Sequence, residues 1–244
     1  TRPMGSEKSQ KIVDTRLAFR ETALTHGNNG RAMRTKTLIL TAALGTVGAA
    51  TAMAQVYSVN AVGYINVEVK PGFTMVANQL NTGNNTIAEV VGESAPIGTI
   101  FYKYDGSAYA ANTWLGFWDD PNMTFAPGEG MFVRTPAAGE GSEGFTLTLV
   151  GEVPQGTLDT AVPAGFMILS SQVPQEGGLE TVLGYTPTVG DVVYRFDADA
   201  QAYMQPSTYL TFWDPVEPTP AVGEAMFINS VDAKTWTREF SVND

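Results

Sequence analysis

The chain reads as an all-β protein: two tandem homologous small β-sandwich or barrel modules, each with one short helix, behind an N-terminal signal helix. Three observations predict this. The chain repeats itself at an offset near 93 residues, its apolar residues alternate with polar ones in short runs, and a basic-apolar-small pattern stands near its start.

Met33-Arg34-Thr35-Lys36 is a basic opening, and the apolar stretch from Thr37 through Leu44 runs on in small residues to Ala50. Ala52-Met53-Ala54 is a small-residue cleavage site, so residues 33–54 read as a Sec-type signal peptide and Gln55 as the first mature residue. The stretch is too rich in Gly, Ala and Thr for a membrane span, which needs roughly 18–20 strongly apolar residues. Residues 1–32 show no apolar periodicity and are read as an upstream extension outside the native fold. The protein is therefore expected beyond the inner membrane, at the cell surface, in the extracellular space or in the periplasm, with no membrane attachment after cleavage.

Eight of the 14 basic residues and three of the 25 acids precede Gln55, which leaves six against 22 and a net charge of −16. Such a surface repels nucleic acid, whose binding relies on Lys and Arg. The only histidine, His26, lies before Gln55, and there is no cysteine. Disulfides, thiol chemistry, Ser-His-Asp triads and His-based zinc sites are thereby excluded from the mature chain.

Residues 55–61 precede the repeat and have no counterpart in its second copy. Val56, Tyr57 and Val59, continuing into Val62 and Tyr64, have strand character. They would either complete their own sheet or add to the edge of a neighbouring subunit and build an assembly.

The first copy spans 62–151 and the second 152–244. Lys70-Pro71-Gly72-Phe73 recurs as Pro163-Ala164-Gly165-Phe166, and Gln79 as Gln172. Ile100-Phe101-Tyr102-Lys103-Tyr104-Asp105 lies over Val192-Val193-Tyr194-Arg195-Phe196-Asp197, and Phe117-Trp118-Asp119 over Phe212-Trp213-Asp214. Gly128-Glu129-Gly130-Met131-Phe132-Val133 matches Gly223-Glu224-Ala225-Met226-Phe227-Ile228. Tyr64–Val69 alternates strictly, and strands are expected also over 73–80, 99–105, 131–135 and 145–150. Asp105-Gly106 signals a hairpin. Thr86–Gly92 reads as the short helix, with Glu176–Gly184 as its counterpart.

Gly72-Phe73 with Ala77-Asn78-Gln79, then Tyr102-Lys103-Tyr104-Asp105-Gly106, then Pro127-Gly128-Glu129-Gly130-Met131-Phe132-Val133 is similar to a module of bacterial secreted and cell-surface proteins. That module reads Gly-Trp-Asn-x-Ile-Ser-x-Pro, Tyr-x-Tyr-Asp-Gly and Pro-Gly-x-Gly-Tyr-Trp-Ile. Here Phe73 replaces its Trp, Met131-Phe132 replaces Tyr-Trp, and Val222 stands where the second copy should have Pro. The resemblance covers roughly 62–244 and implies an extracellular β-rich accessory or structural domain without a defined activity.

The candidate site residues are few. Trp114, Trp118 and Trp213 could stack on sugar rings. Trp118 and Trp213 recur between the copies and read as core, whereas Trp114 has no match and reads as the surface candidate. Asp119-Asp120 and Asp197-x-Asp199 could serve a carboxylate-based glycosidase, but beside Pro, Asn and Gly they read as turns. Asp197-Ala198-Asp199 lacks the continuation of a calcium loop, so no cofactor is expected, with calcium the one alternative. The glycines at 72, 128, 165 and 223 read as turn positions of positive φ. The leading expectation is a non-enzymatic structural or interaction protein that associates with itself or with envelope components. Carbohydrate binding, with a polysaccharide partner, is the alternative, and a glycoside hydrolase the distant one.

Overall fold

Alternation along the chain becomes sheet, and the turns fall at Gly and Asp. In the computed structural model, residues 61–139 and 141–243 are described, and they belong to one compact unit. The upstream extension, the signal peptide and assembly-strand positions Val56, Tyr57 and Val59 lie outside the described residues.

The first half comprises β1 (Val62–Val69), β2 (Phe73–Ala77), α1 (Ile87–Val90), β3 (Ile100–Tyr104), β4 (Tyr109–Thr113), β5 (Gly130–Arg134) and β6 (Phe145–Glu152). The second comprises β7 (Gly156–Val162), β8 (Gly165–Leu169), β9 (Val192–Tyr194), β10 (Phe196–Asp197), β11 (Ala202–Tyr203), β12 (Ser207–Tyr209), β13 (Trp213–Asp214), β14 (Met226–Ser230) and β15 (Lys234–Phe240). In the first half β1 pairs antiparallel with β6, beside a sheet ordered β2-β5-β3-β4. In the second β7 pairs with β15, beside a sheet ordered β13-β12-β9-β14-β8, with β10-β11 a separate ribbon. Val62 and Tyr64 are therefore already paired within their own chain, opposite Glu152 and Val150.

Period two decides what each half buries. Ile65 and Val69 of β1 and Leu147 and Leu149 of β6 point inward onto Val76, Phe101, Met131 and Val133. Val162, Leu169, Val193, Met226, Ile228 and Trp236 do the same in the second half. α1 is capped by Thr86, whose side chain accepts from the Glu89 amide. No helix forms over Glu176–Gly184. The segment makes turns in which Val182 and Leu183 donate to the Gly178 carbonyl and Glu217 accepts from the Glu180 and Thr181 amides. Adjacent Gly177 and Gly178 make helix costly there.

The halves are not two self-contained modules. A third cluster joins Met75, Ala77 and Phe132 to Ile168, Ala225 and Phe227. These residues lie on the opposite face of β2, β5, β8 and β14 from each half's own core. The sheet edges are capped reciprocally: the Ala77 amide donates to the Gly223 carbonyl at 2.8 Å, and the Ser170 amide to the Gly128 carbonyl at 2.9 Å. Bridges Val76–Glu224 and Glu129–Leu169 accompany them. An exposed edge strand invites association, and here each half supplies the other's cover.

Candidate functional site

Strand parity builds an aromatic groove on the face where the halves meet. Phe73 on β2, Tyr102 on β3 and Phe132 on β5 share that face, while Phe101, Met131 and Val133 point into the first core. Tyr109 starts β4. The hairpin from Phe196 to Tyr203 contributes Phe196, Gln201 and Tyr203 from the second half. Together these seven residues line a cavity of about 460 Å³.

The rings are fixed by edge-to-face packing. Phe132 meets Phe196 at 5.3 Å between centroids and Phe73 at 5.9 Å, and Tyr102 meets Tyr109 at 6.4 Å. Corresponding positions repeat the arrangement: Tyr104 meets Phe227 at 5.5 Å, and Phe166 meets Phe227 at 6.1 Å. Such contacts add about 0.5–1.5 kcal/mol per pair beyond burial. Tyr109 (47% exposed) and Tyr203 (48%) stand at the rim.

Burial, and then the neighbouring phenols of Tyr203 and Tyr104, push the Tyr109 hydroxyl up to about 12. Burial also raises that of Tyr203. Both therefore remain neutral donors over the ordinary pH range. The Gln201 amide is already committed: its Oε1 accepts from the Phe73 amide at 2.7 Å, and its Nε2 donates to the Phe73 and Ala198 carbonyls at 2.8 and 2.6 Å. The groove thus offers flat apolar faces with phenolic donors at its rim, suited to a ligand with one apolar face and polar edges.

The tryptophans lie elsewhere. Trp114 is 7% exposed, which corrects the expectation of a surface position. Its ring packs on Trp118 at 5.1 Å, as Tyr209 packs on Trp213 at 5.2 Å, so Tyr209 is the counterpart that made Trp114 look unmatched. Trp118 and Trp213 are also buried, and their indole N–H groups donate to the Gly92 carbonyl and the Glu180 carboxylate. In the shared Phe-Trp-Asp run it is Phe117 that is exposed, at 64%.

The acidic candidates form turns. Asp120 accepts from the Asn122 amide, and Asp197 from the amides of Asp199 and Ala200. Asp199 pairs with Lys70 at 3.2 Å. Among the described residues no group of three or more His, Cys, Asp or Glu side chains is placed to hold a metal. No described helix is long and apolar enough to cross a membrane. Asp191, with Lys234 at 2.6 Å, the Tyr185 hydroxyl at 2.7 Å and Ser230, is the densest polar cluster, but Asp191 is 0% exposed and closed to any substrate.

The groove residues escaped the sequence reading because strand aromatics look alike whichever way they face. One signal was present: Gly130–Arg134 is almost continuously apolar, the pattern of a strand covered on both faces. No known family, curated protein or solved structure matches this chain.

Proposed function

We propose that this is an exported, non-catalytic carbohydrate-binding protein, built by duplication of one β module and active outside the inner membrane. The observation that carries the reading is the groove between the halves, lined by six aromatic rings with neutral phenols at its rim. The C–H face of a sugar ring is apolar and its edge is hydroxylated, so stacking and hydrogen bonding engage together. The lack of histidine and cysteine after Gln55, and the use of Asp120 and Asp197 in turns, favour binding over chemistry. The test is affinity electrophoresis of the full chain in gels containing soluble polysaccharides. Retardation is expected in at least one polymer, with a loss of about tenfold or more in affinity on Tyr109→Ala or Tyr203→Ala. Uniform migration of the native protein and both variants in every polymer would count against the reading.

A second reading, self-assembly by addition of the 55–61 strand, draws support from β1. Among the described residues this strand pairs on one side only, with β6, and it exposes Val62 and Tyr64 on the ribbon's outer face. Light scattering on chains beginning at Gln55 and at Val62 separates the cases: large particles only from the longer chain would favour assembly, and monomers from both would end it.

A further inference from the structure

Of the six cations after Gln55, four are held inside the fold. Lys103 pairs with Glu129 at 2.8 Å, Arg195 with Glu224 at 2.7 Å and Lys234 with Asp191 at 2.6 Å. Arg238 donates to the Val182 carbonyl and the Gln175 side chain. Of the other two, Arg134 rests against the Phe73 ring of the groove, and Lys70 reaches Asp199, in the hairpin that carries Gln201 and Tyr203.

Arg134 lies opposite Phe73 in the β2–β5 register, two residues from Phe132 and on the same face of the strand. Its guanidinium carbon is 5.9 Å from the centre of the Phe73 ring, and among the described residues it makes no hydrogen bond or ion pair. Lys70 pairs with Asp199, but the two side chains are 42% and 79% exposed. Exposed pairs of this kind are weak, so a ligand anion could exchange for Asp199. In the second half Asn229 occupies the corresponding place, opposite Phe166, and carries no charge.

A guanidinium that rests against a ring of the groove, with no hydrogen bond or ion pair among the described residues, is a fork for a planar anion. In a chain this acidic, long-range repulsion of an anion is screened beyond about 8–10 Å at physiological salt, whereas contact with Arg134 is not. We infer that the ligand of the groove is an acidic polysaccharide, a polyuronate whose sugar face lies on the exposed Phe73, Tyr109 and Tyr203 rings and whose carboxylate is taken by Arg134. The inference rests on the carbohydrate reading of the groove and adds the charge of the ligand to it.

The experiment compares the full chain's affinity for polygalacturonate and for the same polymer fully methyl-esterified, which keeps the ring and removes the charge. The native protein is expected to prefer the acid by about tenfold or more. Arg134→Gln is expected to abolish that preference, and Arg134→Lys to restore part of it. Tyr109→Ala should weaken both polymers alike. Equal affinity of the native protein for acid and ester would overturn the inference and leave the carbohydrate reading standing. This comparison needs no variant to fold. A preference that survives in a folded Arg134→Gln protein would overturn the assignment of the carboxylate. Binding to neither polymer, with self-association that Tyr109→Ala dissolves, would give the groove to a second copy of the chain and remove both readings.

Discussion

Gly130 and Ala225 hold corresponding places in the two halves and face each other where the sheets cross. A Cβ on Gly130 would lie 2.5 Å from the Ala225 Cβ and 2.5 Å from the Ile168 side chain. Gly130→Ala should therefore cost about 1–3 kcal/mol by overpacking, read as a lower denaturant midpoint. Adding Ala225→Gly should recover part of the loss, and a double variant no more stable than the single one would refute the contact. Trp114→Ala should destabilise by about 3–5 kcal/mol while polysaccharide affinity holds, because the ring is core and remote from the groove. Asp191 brings in pH. Burial alone pushes its carboxyl up, but the Lys234 ammonium, the Thr188 and Val231 amides and the Tyr185 hydroxyl outweigh it, so its pKa lies below the ordinary 3.8. A folded value below the unfolded one contributes stability that is present above about 3.8 and lost as pH falls through the folded value. Melting temperature should hold from pH 7 to 5 and fall steeply below 4. Lys234→Met, which leaves a buried carboxylate without its cation, should cost about 3–5 kcal/mol at neutral pH.

At the scale of elements, the hairpin from Asp197 to Tyr203 is the piece by which the second half reaches over the first. Gln201 holds both the amide and the carbonyl of Phe73, in the manner of a neighbouring strand. Gln201→Ala should lower stability by about 1–2 kcal/mol, as expected for losing a few partly exposed hydrogen bonds, and should speed amide exchange at Phe73. Unchanged exchange would mean that the latch does not hold the edge. Much at this scale was legible. Strict alternation in Tyr64–Val69 placed β1, and Asp105-Gly106 placed the β3–β4 turn, where Asp105 accepts from the Ser107 and Ala108 amides. The second-half hairpin was less regular than its template: pairing splits into β9–β12 and β10–β11, with Pro206, which has no amide hydrogen, just before β12. The helix expected over Glu176–Gly184 failed for a similarly local reason, the two glycines and the Glu217 carboxylate that holds its amides in a turn.

At the scale of the whole molecule, neither half is complete alone. Residues 61–153 by themselves would bare the β2 edge with Met75, Phe132 and the groove face. Expressed alone, this piece should dimerise or aggregate, as gel filtration with light scattering would show, and a stable monomer would refute the shared core. The all-β class and the turns could be read from the chain, as could the absence of histidine and cysteine after Gln55, because period two, Gly and Asp placement and composition are local properties. Which aromatics are covered depends on tertiary contacts. Phe132 is covered by Phe227 of the other half, whereas Tyr109 and Tyr203 are left at a rim. Alternation assigns a side chain to one face of a strand, but what lies against that face comes from residues some 90 positions away.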